Sequence, residues 1–586
     1  MEKWILKNPK RDFKKMSQSL GVSELICRIL VNRCIDDFET AKRFIQPDTE
    51  GLFDGRLMKD LEKGTLIIRN KIAGDKRIRI IGDYDVDGVI STYILYNALK
   101  RCGAKVDYVI PHRIYDGYGI NNSIIEIAKK DGIDTIITCD NGISALEQIK
   151  YAKELGITVI VTDHHDVPFV EDNDLNRIQV TPEADAVIDM KQADCEYPFK
   201  LLCGAGVAFK FIQVLYQQMN IPKHEETAFY EFLAIATVCD VVDLTGENRI
   251  LVKNGLEAIC NSKNIGLNAL MEQTGIMGKE IGVYHLGFII GPCINASGRL
   301  DCAIKGLELL LCDDREKAAL MAQQLHSLNT ERKNMTLAGV EETVATIESS
   351  DLKNDRVLVV YRPDIHESIA GIIAGKIREK YNVPTFILTD SENCVKGSGR
   401  SIDAYNMFEE LQRCKELLIK FGGHPLAAGF SLEPEKVDIL RLQLNTCSVL
   451  TEDDLISKVY IDAQIPIDTI NLQLAEELKL LEPYGKGNSK PLFADKNISV
   501  SRASVLGVNR NVLKLRLLSN NRYIDCIYFG DIQDFDCYIK CKFGEQELDK
   551  MYSGQINNVK LDLTFHIDVN EYNGNRNAQI IMQHFR

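Results

Sequence analysis

Short apolar runs alternate with amphipathic segments over residues 77–162, and no other feature constrains the fold as strongly. Predicted strands lie at 77–81, 106–110, 133–138 and 157–162, and predicted helices lie between them at 91–101, 122–130 and 144–155. Strands that are apolar along most of their length and separated by helices are typical of a parallel sheet covered on both faces. We therefore predict an α/β multidomain protein whose first large domain contains such a sheet.

Acidic residues and histidines follow the predicted strands, at the positions where ligands bind in such sheets. The residues concerned are Asp83, Asp85 and Asp87 after the first strand, Asp140 after the third, Asp163, His164 and His165 after the fourth, and Asp240 after a further apolar run at 232–239. Because the carboxyl ends of parallel strands meet at one edge, we expect these side chains to lie together. Helix capping explains one aspartate, but three at alternate positions need a cationic counter-charge.

The number and type of these side chains predict a site for two divalent cations. Four or five carboxylates with one or two histidines are too many ligands for one ion, and they suit a pair about 4 Å apart. Oxygen ligands favour Mg²⁺, and added imidazole favours Mn²⁺. The sequence has no Ser-His-Asp pattern, P-loop or dinucleotide fingerprint that would indicate other chemistry. We expect hydrolysis of a phosphoester or phosphoanhydride, assisted by two Mn²⁺ or Mg²⁺ ions.

Three stretches of small residues predict phosphate-binding loops. One, at 291–299, ends in Arg299, and two more, at 396–401 and 421–425, lie in a second α/β pattern that begins at residue 356. Glycines permit close backbone approach, and serine, arginine and histidine donate to phosphate oxygens. Tight turns between strands are the structural alternative for each stretch. The charged, proline-free segment 313–349 predicts either a connecting helix or a packed helical hairpin.

The last part of the chain predicts a small β-barrel. Predicted strands lie at 459–465, 498–506, 512–518, 523–529, 559–567 and 579–583. The number of strands fits a barrel of the oligonucleotide-binding (OB) type, although other small barrels fit nearly as well. Cationic and aromatic residues expected to be exposed there would suit single-stranded nucleic acid; they are Lys514, Arg516, Arg522, Tyr523, Tyr528 and Phe529.

Composition predicts a globular protein in a reducing compartment. The 586 residues carry a net charge of −14, and the seventeen cysteines include no C-x-x-C pair. Scattered cysteines of this kind indicate reduced thiols rather than disulfides or a zinc site. The charged amino terminus and the lack of an apolar run of about 18 residues argue against a signal peptide or a membrane span. We predict a cytoplasmic protein without a membrane partner.

With these motifs in place, the chain resembles the DHH phosphoesterase superfamily, and within it the RecJ-type single-stranded-DNA exonucleases. GDYDVDG, TCDNGIS, VTDHH and ATVCDVVDL resemble the four metal-binding motifs of the family, and INASGR, GSGRS and FGGHPLAAGFS resemble its phosphate-handling loops. Two positions depart from the family pattern. Asp189-Met190 replaces an Asn-Pro pair, and Ile365-His366-Glu367-Ser368 replaces a Trp-His-x-Gly motif.

The resemblance implies roles for individual residues. Direct metal ligands would be Asp85, Asp87, Asp140, His164 and Asp240. Asp83 and His165 would lie next to the metals or the scissile phosphate as catalytic residues. Phosphate and nucleic acid would be held by Arg113, Ser297, Arg299, Ser398, Arg400, Gly422, Gly423 and His424. The implied activity is removal of mononucleotides from the 5′ end of single-stranded DNA, in DNA repair and recombination, with single-strand-binding protein and a helicase as possible partners.

We expect five parts along the chain. They are a helical segment (1–70), a DHH catalytic domain (71–255), a helical region and linker (256–346), a DHH-associated phosphate-binding domain (347–450) and an OB-like domain (451–586). One alternative function is a DHH phosphodiesterase for short RNA oligomers or cyclic dinucleotides, although such small substrates need no barrel to guide them. The other is a non-catalytic replication scaffold, against which the intact acids and histidines argue.

Overall fold

The computed structural model describes residues 2–113, 115–171, 177–391, 394–507, 509–572 and 574–586. These residues divide into two compact units. The first unit comprises Phe53–Asp240 and Asn254–Ser457, and the second comprises Glu2–Leu52, Val241–Lys253 and Lys458–Arg586. The predicted amino-terminal segment 1–70 is therefore split between the two units. None of the helices in the described ranges is both long enough and apolar enough to cross a membrane.

The strands of the described residues are spread over both units. They are β1 (Lys3–Leu6), β2 (Arg77–Ile81), β3 (Lys105–Val109), β4 (Thr135–Cys139), β5 (Thr158–Thr162), β6 (Phe169–Glu171), β7 (Arg177–Gln179), β8 (Ala186–Ile188), β9 (Leu358–Tyr361), β10 (Thr385–Asp390), β11 (Val395–Arg400), β12 (Leu418–His424), β13 (Ala427–Leu432), β14 (Lys458–Ile461), β15 (Ala463–Gln464), β16 (Phe493–Leu506), β17 (Val512–Ser519), β18 (Arg522–Tyr528), β19 (Lys560–Tyr572) and β20 (Asn575–Phe585).

The helices connect and cover these strands. They are α1 (Phe13–Leu20), α2 (Glu24–Asn32), α3 (Phe38–Ile45), α4 (Leu61–Ala73), α5 (Val86–Arg101), α6 (Asn122–Lys130), α7 (Leu146–Glu154), α8 (Gly204–Gln218), α9 (Tyr230–Cys239), α10 (Gly246–Ile259), α11 (Ile265–Gln273), α12 (Val283–His285), α13 (Gly291–Leu300), α14 (Ile304–Leu311), α15 (Arg315–Glu348), α16 (Glu367–Tyr381), α17 (Met407–Arg413), α18 (Val437–Cys447), α19 (Leu472–Leu478), α20 (Ile532–Phe543) and α21 (Glu545–Ser553).

The first unit contains the predicted parallel sheet. Its strands lie in the order β3-β2-β4-β5-β8, and every neighbouring pair is parallel. The predicted strands and helices of this region match the structure to within a few residues, with one difference that matters. Helix α5 begins at Val86 rather than at residue 91, because Asp85 caps it, and Asp87 and Gly88 therefore belong to its first turn.

A second sheet in the first unit has the order β12-β13-β11-β10-β9. The stretches 396–401 and 421–425, predicted as loops, instead lie in or at the ends of its strands β11 and β12, so both predictions were wrong. The glycines make room for rings rather than for turns. A Cβ on Gly397 would lie 2.3 Å from the Phe430 ring, and a Cβ on Gly399 would lie 2.6 Å from the Phe386 ring.

The prediction of a loop at 291–299 is also wrong, since these residues form helix α13. Small residues here allow close packing: a Cβ on Gly298 would lie 2.4 Å from the Tyr84 carbonyl oxygen. The segment that was predicted as a connector or a hairpin is one continuous helix, α15, of 34 residues. Asp314 caps it by accepting a hydrogen bond from Lys317 N at 3.0 Å.

The second unit contains the predicted barrel. Strands β16, β17, β18, β20 and β19 pair in that order, and β16 also pairs with β19, which closes the sheet. Tyr523 and Phe529 are exposed as expected, but Tyr528 is buried in the barrel core because its side chain alternates to the inner face. Helices α20 and α21 between β18 and β19 were not predicted.

Arg249 joins the three chain pieces of the second unit. Its side chain is almost fully buried, and the guanidinium lies 3.9 Å from the centre of the Phe44 ring. It donates hydrogen bonds to the carbonyl groups of Phe44 (2.8 Å), Leu480 (3.1 Å) and Leu481 (2.9 Å). Strand β1 pairs in parallel with β14, so the amino-terminal piece is also tied to the carboxyl-terminal piece through its backbone.

Replacing Arg249 by methionine is expected to destabilise the second unit by about 3 kcal/mol, because several buried carbonyl groups lose their donors. Trp4, the one tryptophan of the chain, lies in β1 and its fluorescence reports on unfolding of this unit in urea. Arg576→Gln is the matched control. It removes an exposed ion pair with Glu476 in the same unit, and a change below about 1 kcal/mol is expected. Equal transitions for the two variants would contradict the role given to Arg249.

Candidate active site

Three aspartates stand where the first strand of the parallel sheet leads into α5. Asp83 and Asp87 are buried, and Asp85 accepts a hydrogen bond from Gly88 N at 3.1 Å. A Cβ on Gly88 would lie 2.5 Å from the Asp83 carbonyl oxygen, so glycine lets the helix begin this close to the acids. Asp87 accepts from the first two backbone N–H groups of α8, at 2.6 and 2.9 Å. The positive end of the α8 dipole therefore faces this carboxylate.

Asp140, His164 and Asp240 complete this edge of the sheet. Asp140 follows β4 in the left-handed conformation (φ 61°), which aspartate and asparagine adopt more readily than most residues. His164 follows β5, and its Nε2 atom lies 3.0 Å from Asp140 Oδ1, 3.7 Å from Asp87 Oδ2 and 3.8 Å from Asp240 Oδ2. Because Asp240 ends α9, one imidazole nitrogen faces carboxylates from three different elements.

The ligand atoms of this cluster form groups of the size that a cation needs. One group is Asp87, His164 and Asp240, and another is Asp83, Asp85 and Asp140; within each, the ligand atoms lie within 4.8 Å of one another. These two groups share no residue. Several of their atoms are buried without a hydrogen-bond partner in the described part of the chain, namely Asp83 Oδ1, Asp140 Oδ1, His164 Nε2 and Asp240 Oδ2. Since buried polar atoms ordinarily have partners, this donor set fits two divalent cations.

The protein compensates only part of the negative charge of the cluster. Burial, followed by repulsion from neighbouring carboxylates, raises the pKa values of Asp83, Asp140 and Asp240 well above their usual range. The same two causes raise the pKa of Asp87 to about 6. Burial lowers the pKa of His164 to about 3, so its ring is neutral at physiological pH, as a metal ligand must be. A bound cation would favour the ionised carboxylates.

His165 is held by Asp163. The Asp163 carboxylate accepts hydrogen bonds from His164 N (2.7 Å) and His165 N (3.2 Å), and its Oδ1 atom lies 2.7 Å from His165 Nδ1. Burial opposes both charges, but their mutual attraction prevails: the pKa of His165 rises to about 9, and that of Asp163 falls to about 2. Tyr118 Oη lies 3.3 Å from His165 Nε2 and donates to the Asp140 carbonyl at 2.9 Å. Asp163 thus fixes the orientation and the charge of His165.

A cavity of about 440 Å³ in the first unit is lined in part by the predicted phosphate-binding residues. Its lining includes Tyr84, Arg113, Ser368, Lys396, Ser398, Lys420, Phe421 and Gly422. Ser398 in β11 and Gly422 in β12 both pair with Gly429 of β13, which lies between them. The space above Gly422 is open, so a ligand can approach its backbone closely.

Two more arginines lie near Arg113. The Arg113 guanidinium stacks 4.6 Å from the centre of the Tyr84 ring, and Arg299 Nη1 donates to the Ser368 carbonyl at 2.6 Å. Burial, followed by the charge of Arg113, lowers the pKa of Arg299 to about 10 and also lowers that of Arg400. A concentration of arginines of this kind suits a phosphate group.

Not every predicted residue reaches this cavity. Ser297 is fully buried in α13, and its hydroxyl donates to the Ile294 carbonyl at 2.7 Å, so it faces its own helix. Gly423 and His424 end strand β12, and His424 Nδ1 accepts from Leu426 N at 3.4 Å. The structure brings the predicted acids and histidines together, and the roles of the individual residues stay predictions.

Sequence reasoning placed Asp163 in the cluster but gave it no individual role, and it did not single out Lys420. The position of Asp163, directly before two histidines and after a strand, was a usable signal, whereas nothing marked Lys420. The two departures from the family pattern have structural explanations. Asp189 is buried and accepts a hydrogen bond from Lys191 N at 2.7 Å, and Ile365 belongs to an apolar core in the first unit.

Three family models match successive parts of the chain. Residues 77–237 match the model of the DHH family, N-terminal domain; residues 354–447 match the DHHA1 domain, and residues 461–584 match the RecJ OB domain. The single-stranded-DNA-specific exonuclease RecJ of Bacillus subtilis is 31% identical, in an alignment that covers 99% of this chain and 70% of the relative.

Solved structures of RecJ from Thermus thermophilus match over the whole chain. The complex with Mn²⁺ has a TM-score of 0.81 at 26% identity, covering 100% of this chain and 79% of that one. The complex with Mg²⁺ has a TM-score of 0.76 at 25% identity, covering 100% and 78%. Taken with the identity to the Bacillus relative and the matched domain models, this similarity leads to one conclusion: the chain belongs to the RecJ family of the DHH proteins.

Proposed function

We propose that this chain is a metal-dependent exonuclease that hydrolyses single-stranded DNA from the 5′ end to mononucleotides, using two Mn²⁺ or Mg²⁺ ions. One observation carries the proposal above all: buried and half-buried acids form with His164 two three-residue groups that share no member, and a third group, Asp140, His164 and His165, links them. Relatives that are named as single-stranded-DNA-specific exonucleases, and whose structures hold Mn²⁺ or Mg²⁺, support the same reading.

The two groups would each hold one ion. Asp87, His164 and Asp240 would bind the first, and Asp83, Asp85 and Asp140 the second. When bound, such a pair lowers the pKa of water and stabilises the attacking and leaving oxygens of an in-line displacement at phosphorus. The N-terminal end of α8 favours the ionised form of Asp87, and the backbone contact of Asp163 with His164 fixes the position of that ring. Charged His165 would stabilise negative charge on the scissile phosphate.

The cavity would hold the terminal nucleotide. Arg113 lines the cavity, and Arg299 and Arg400 lie close enough to Arg113 to add positive charge for the 5′ phosphate of that nucleotide. The open backbone at Gly422 would allow a phosphate oxygen to come close. The cavity volume of about 440 Å³ is of the size that binds a small ligand such as a nucleotide. Holding the terminal phosphate in this way would position the next phosphodiester for cleavage.

The barrel would bind the strand beyond the active site. A shallow cavity of about 410 Å³ on it is lined by Lys514, Arg516, Arg522 and Tyr523, with amide side chains of Asn570, Asn577 and Gln579. Arg516 stacks 4.8 Å from the centre of the exposed Tyr523 ring. Exposed rings with nearby cations are what sequence-independent single-strand binding requires. A closed barrel of this kind gives no support to the short-oligomer or cyclic-dinucleotide alternative, and single-strand-binding protein and a helicase stay predicted partners.

Asp140→Ala and His164→Ala are each expected to lower nucleotide release by about 10³-fold or more, because each removes a ligand from the buried cluster. Release is measured from a 3′-labelled single strand in Mn²⁺. Asp194→Asn is the matched control, since it removes an exposed acid that pairs with Lys59 at 2.7 Å, and it should keep full activity. Wild-type rates in either alanine variant would refute the assignment of the site.

Asp140→Asn is expected to stabilise the metal-free protein while abolishing activity. The folded-state pKa of Asp140 lies above its unfolded value, so its ionisation at neutral pH opposes folding, and asparagine keeps the backbone conformation without the charge. In EDTA at neutral pH we expect a gain of about 1 kcal/mol, measured by thermal unfolding. The gain should shrink as the pH falls and vanish near pH 3, below the unfolded-state pKa of about 3.9, where the carboxyl is protonated in both states.

Mn²⁺ should then raise the unfolding temperature of the wild type more than that of Asp140→Asn, because a ligand that binds the folded state stabilises it and the variant keeps only the group of Asp87, His164 and Asp240 intact. An Asp140→Asn protein that is less stable than wild type in EDTA, yet is stabilised equally by Mn²⁺, would count against a site of uncompensated acids.

Tyr523→Ala is expected to weaken binding of a long single strand by about 10-fold, the effect of losing one stacked base. Binding is measured in EDTA by fluorescence anisotropy, and activity on a very short oligonucleotide should not change. Tyr460→Ala is the control, because Tyr460 lies in the same unit and is 53% exposed, as Tyr523 is. Equal losses for the two variants would show that the barrel cavity has no special part in binding.

A further inference from the structure

Arg332 lies on helix α15 and is held in place by a buried amide. Its Nε and Nη2 atoms donate to Asn329 Oδ1 at 3.2 and 3.0 Å. Asn329 is 3% exposed, and its Nδ2 atom donates to Cys293 Sγ at 3.4 Å, on the helix α13 that also carries Arg299. The half-buried guanidinium is therefore fixed against the helix of a candidate phosphate-binding residue.

Arg332 has no carboxylate partner in the described ranges, as is also true of Arg113, Arg299 and Arg400, whereas three other arginines of the first unit have one. Arg79 pairs with Asp107 and Asp131, Arg362 with Glu342 and Asp364, and Arg441 with Asp355. Within the described ranges, Arg332 forms no such ion pair, and its two hydrogen bonds go to a neutral amide. A partly buried charge without a counter-ion is costly unless a ligand supplies one.

Arg332 also lies close enough to Arg299 for its charge to lower the pKa of Arg299. The charges of Arg113, Arg332 and Arg400 all lower the pKa of Arg299, after burial, which is the larger cause. Burial likewise lowers the pKa of Arg332. Four arginines thus gather from a loop, two helices and a strand, and one terminal phosphate cannot contact them all in bidentate fashion.

Building on the proposed exonuclease function, we propose that Arg332 binds a phosphodiester of the bound single strand, next to the terminal phosphate held by Arg113, Arg299 and Arg400. Asn329 meets α13 at Cys293, six residues before Arg299 and so about 9 Å away along the helix axis. Because Arg332 is held by Asn329 at this distance from Arg299, we assign it to a phosphate of the chain next to the terminal one. The connecting helix α15 is then part of the nucleic-acid-binding surface.

The test is the salt dependence of single-strand binding. Binding of a 3′-labelled oligothymidylate with a 5′ phosphate is measured in EDTA, so that the strand stays intact, over a series of KCl concentrations. Each phosphate contact contributes about 0.7 to the slope of log affinity against log salt. Arg332→Gln is expected to reduce the slope by about 0.7 and the affinity roughly 10-fold. Arg332→Lys keeps the charge and should retain most of the slope while losing part of the affinity.

Lys317→Gln is the matched control, because it removes one positive charge from the exposed start of the same helix, about 22 Å away. It should leave the slope unchanged. Equal slopes for wild type and Arg332→Gln, or an equal fall for Lys317→Gln, would overturn the proposal; thermal unfolding of each variant shows whether it is folded. A wild type that neither binds the strand nor releases nucleotides would instead overturn the proposed function itself.

Discussion

Repulsion among buried carboxylates governs the architecture of the first unit. The parallel sheet brings the ends of β2, β4 and β5 to one edge; α8 adds a helix dipole, and the end of α9 adds a further acid, Asp240. Negative charge is concentrated where little water reaches, and the surrounding protein compensates it most at Asp87 and Asp163. Such a site costs stability in the protein alone, and that cost is recovered on binding cations.

Positive charges of the first unit are also concentrated without full compensation by the protein. The charges of Arg113 and Arg400 both lower the pKa of Arg299, whereas the charge of Asp85 raises it. The protein keeps these two sets of charges apart instead of pairing them with each other. Metal ions complete one set and a phosphate completes the other, so a substrate with its cations satisfies both. The net charge of −14 conceals this local separation.

The sequence predicted the parallel sheet well because its strands are buried on both sides and therefore apolar throughout. It predicted the acids and histidines of the site for a related reason, since they follow those strands directly. It failed where glycine has a packing role: Gly397 and Gly399 accommodate rings inside a sheet, and Gly298 lies against a backbone carbonyl. Arg332 and Asn329 could not be recognised, because their role depends on which helix packs beside them, and that contact has no signature in the local sequence.

The parallel pairing of β1 with β14 has a consequence for how the chain folds as it is made. Residues 3–6 emerge from the ribosome more than four hundred residues before their partners at 458–461. Arg249 likewise is synthesised long before the carbonyl groups at 480 and 481 to which it donates. Contacts between such distant residues form slowly because a long loop must close first. The described residues of the first unit all precede residue 458, so the second unit is the last of the two whose residues are all synthesised.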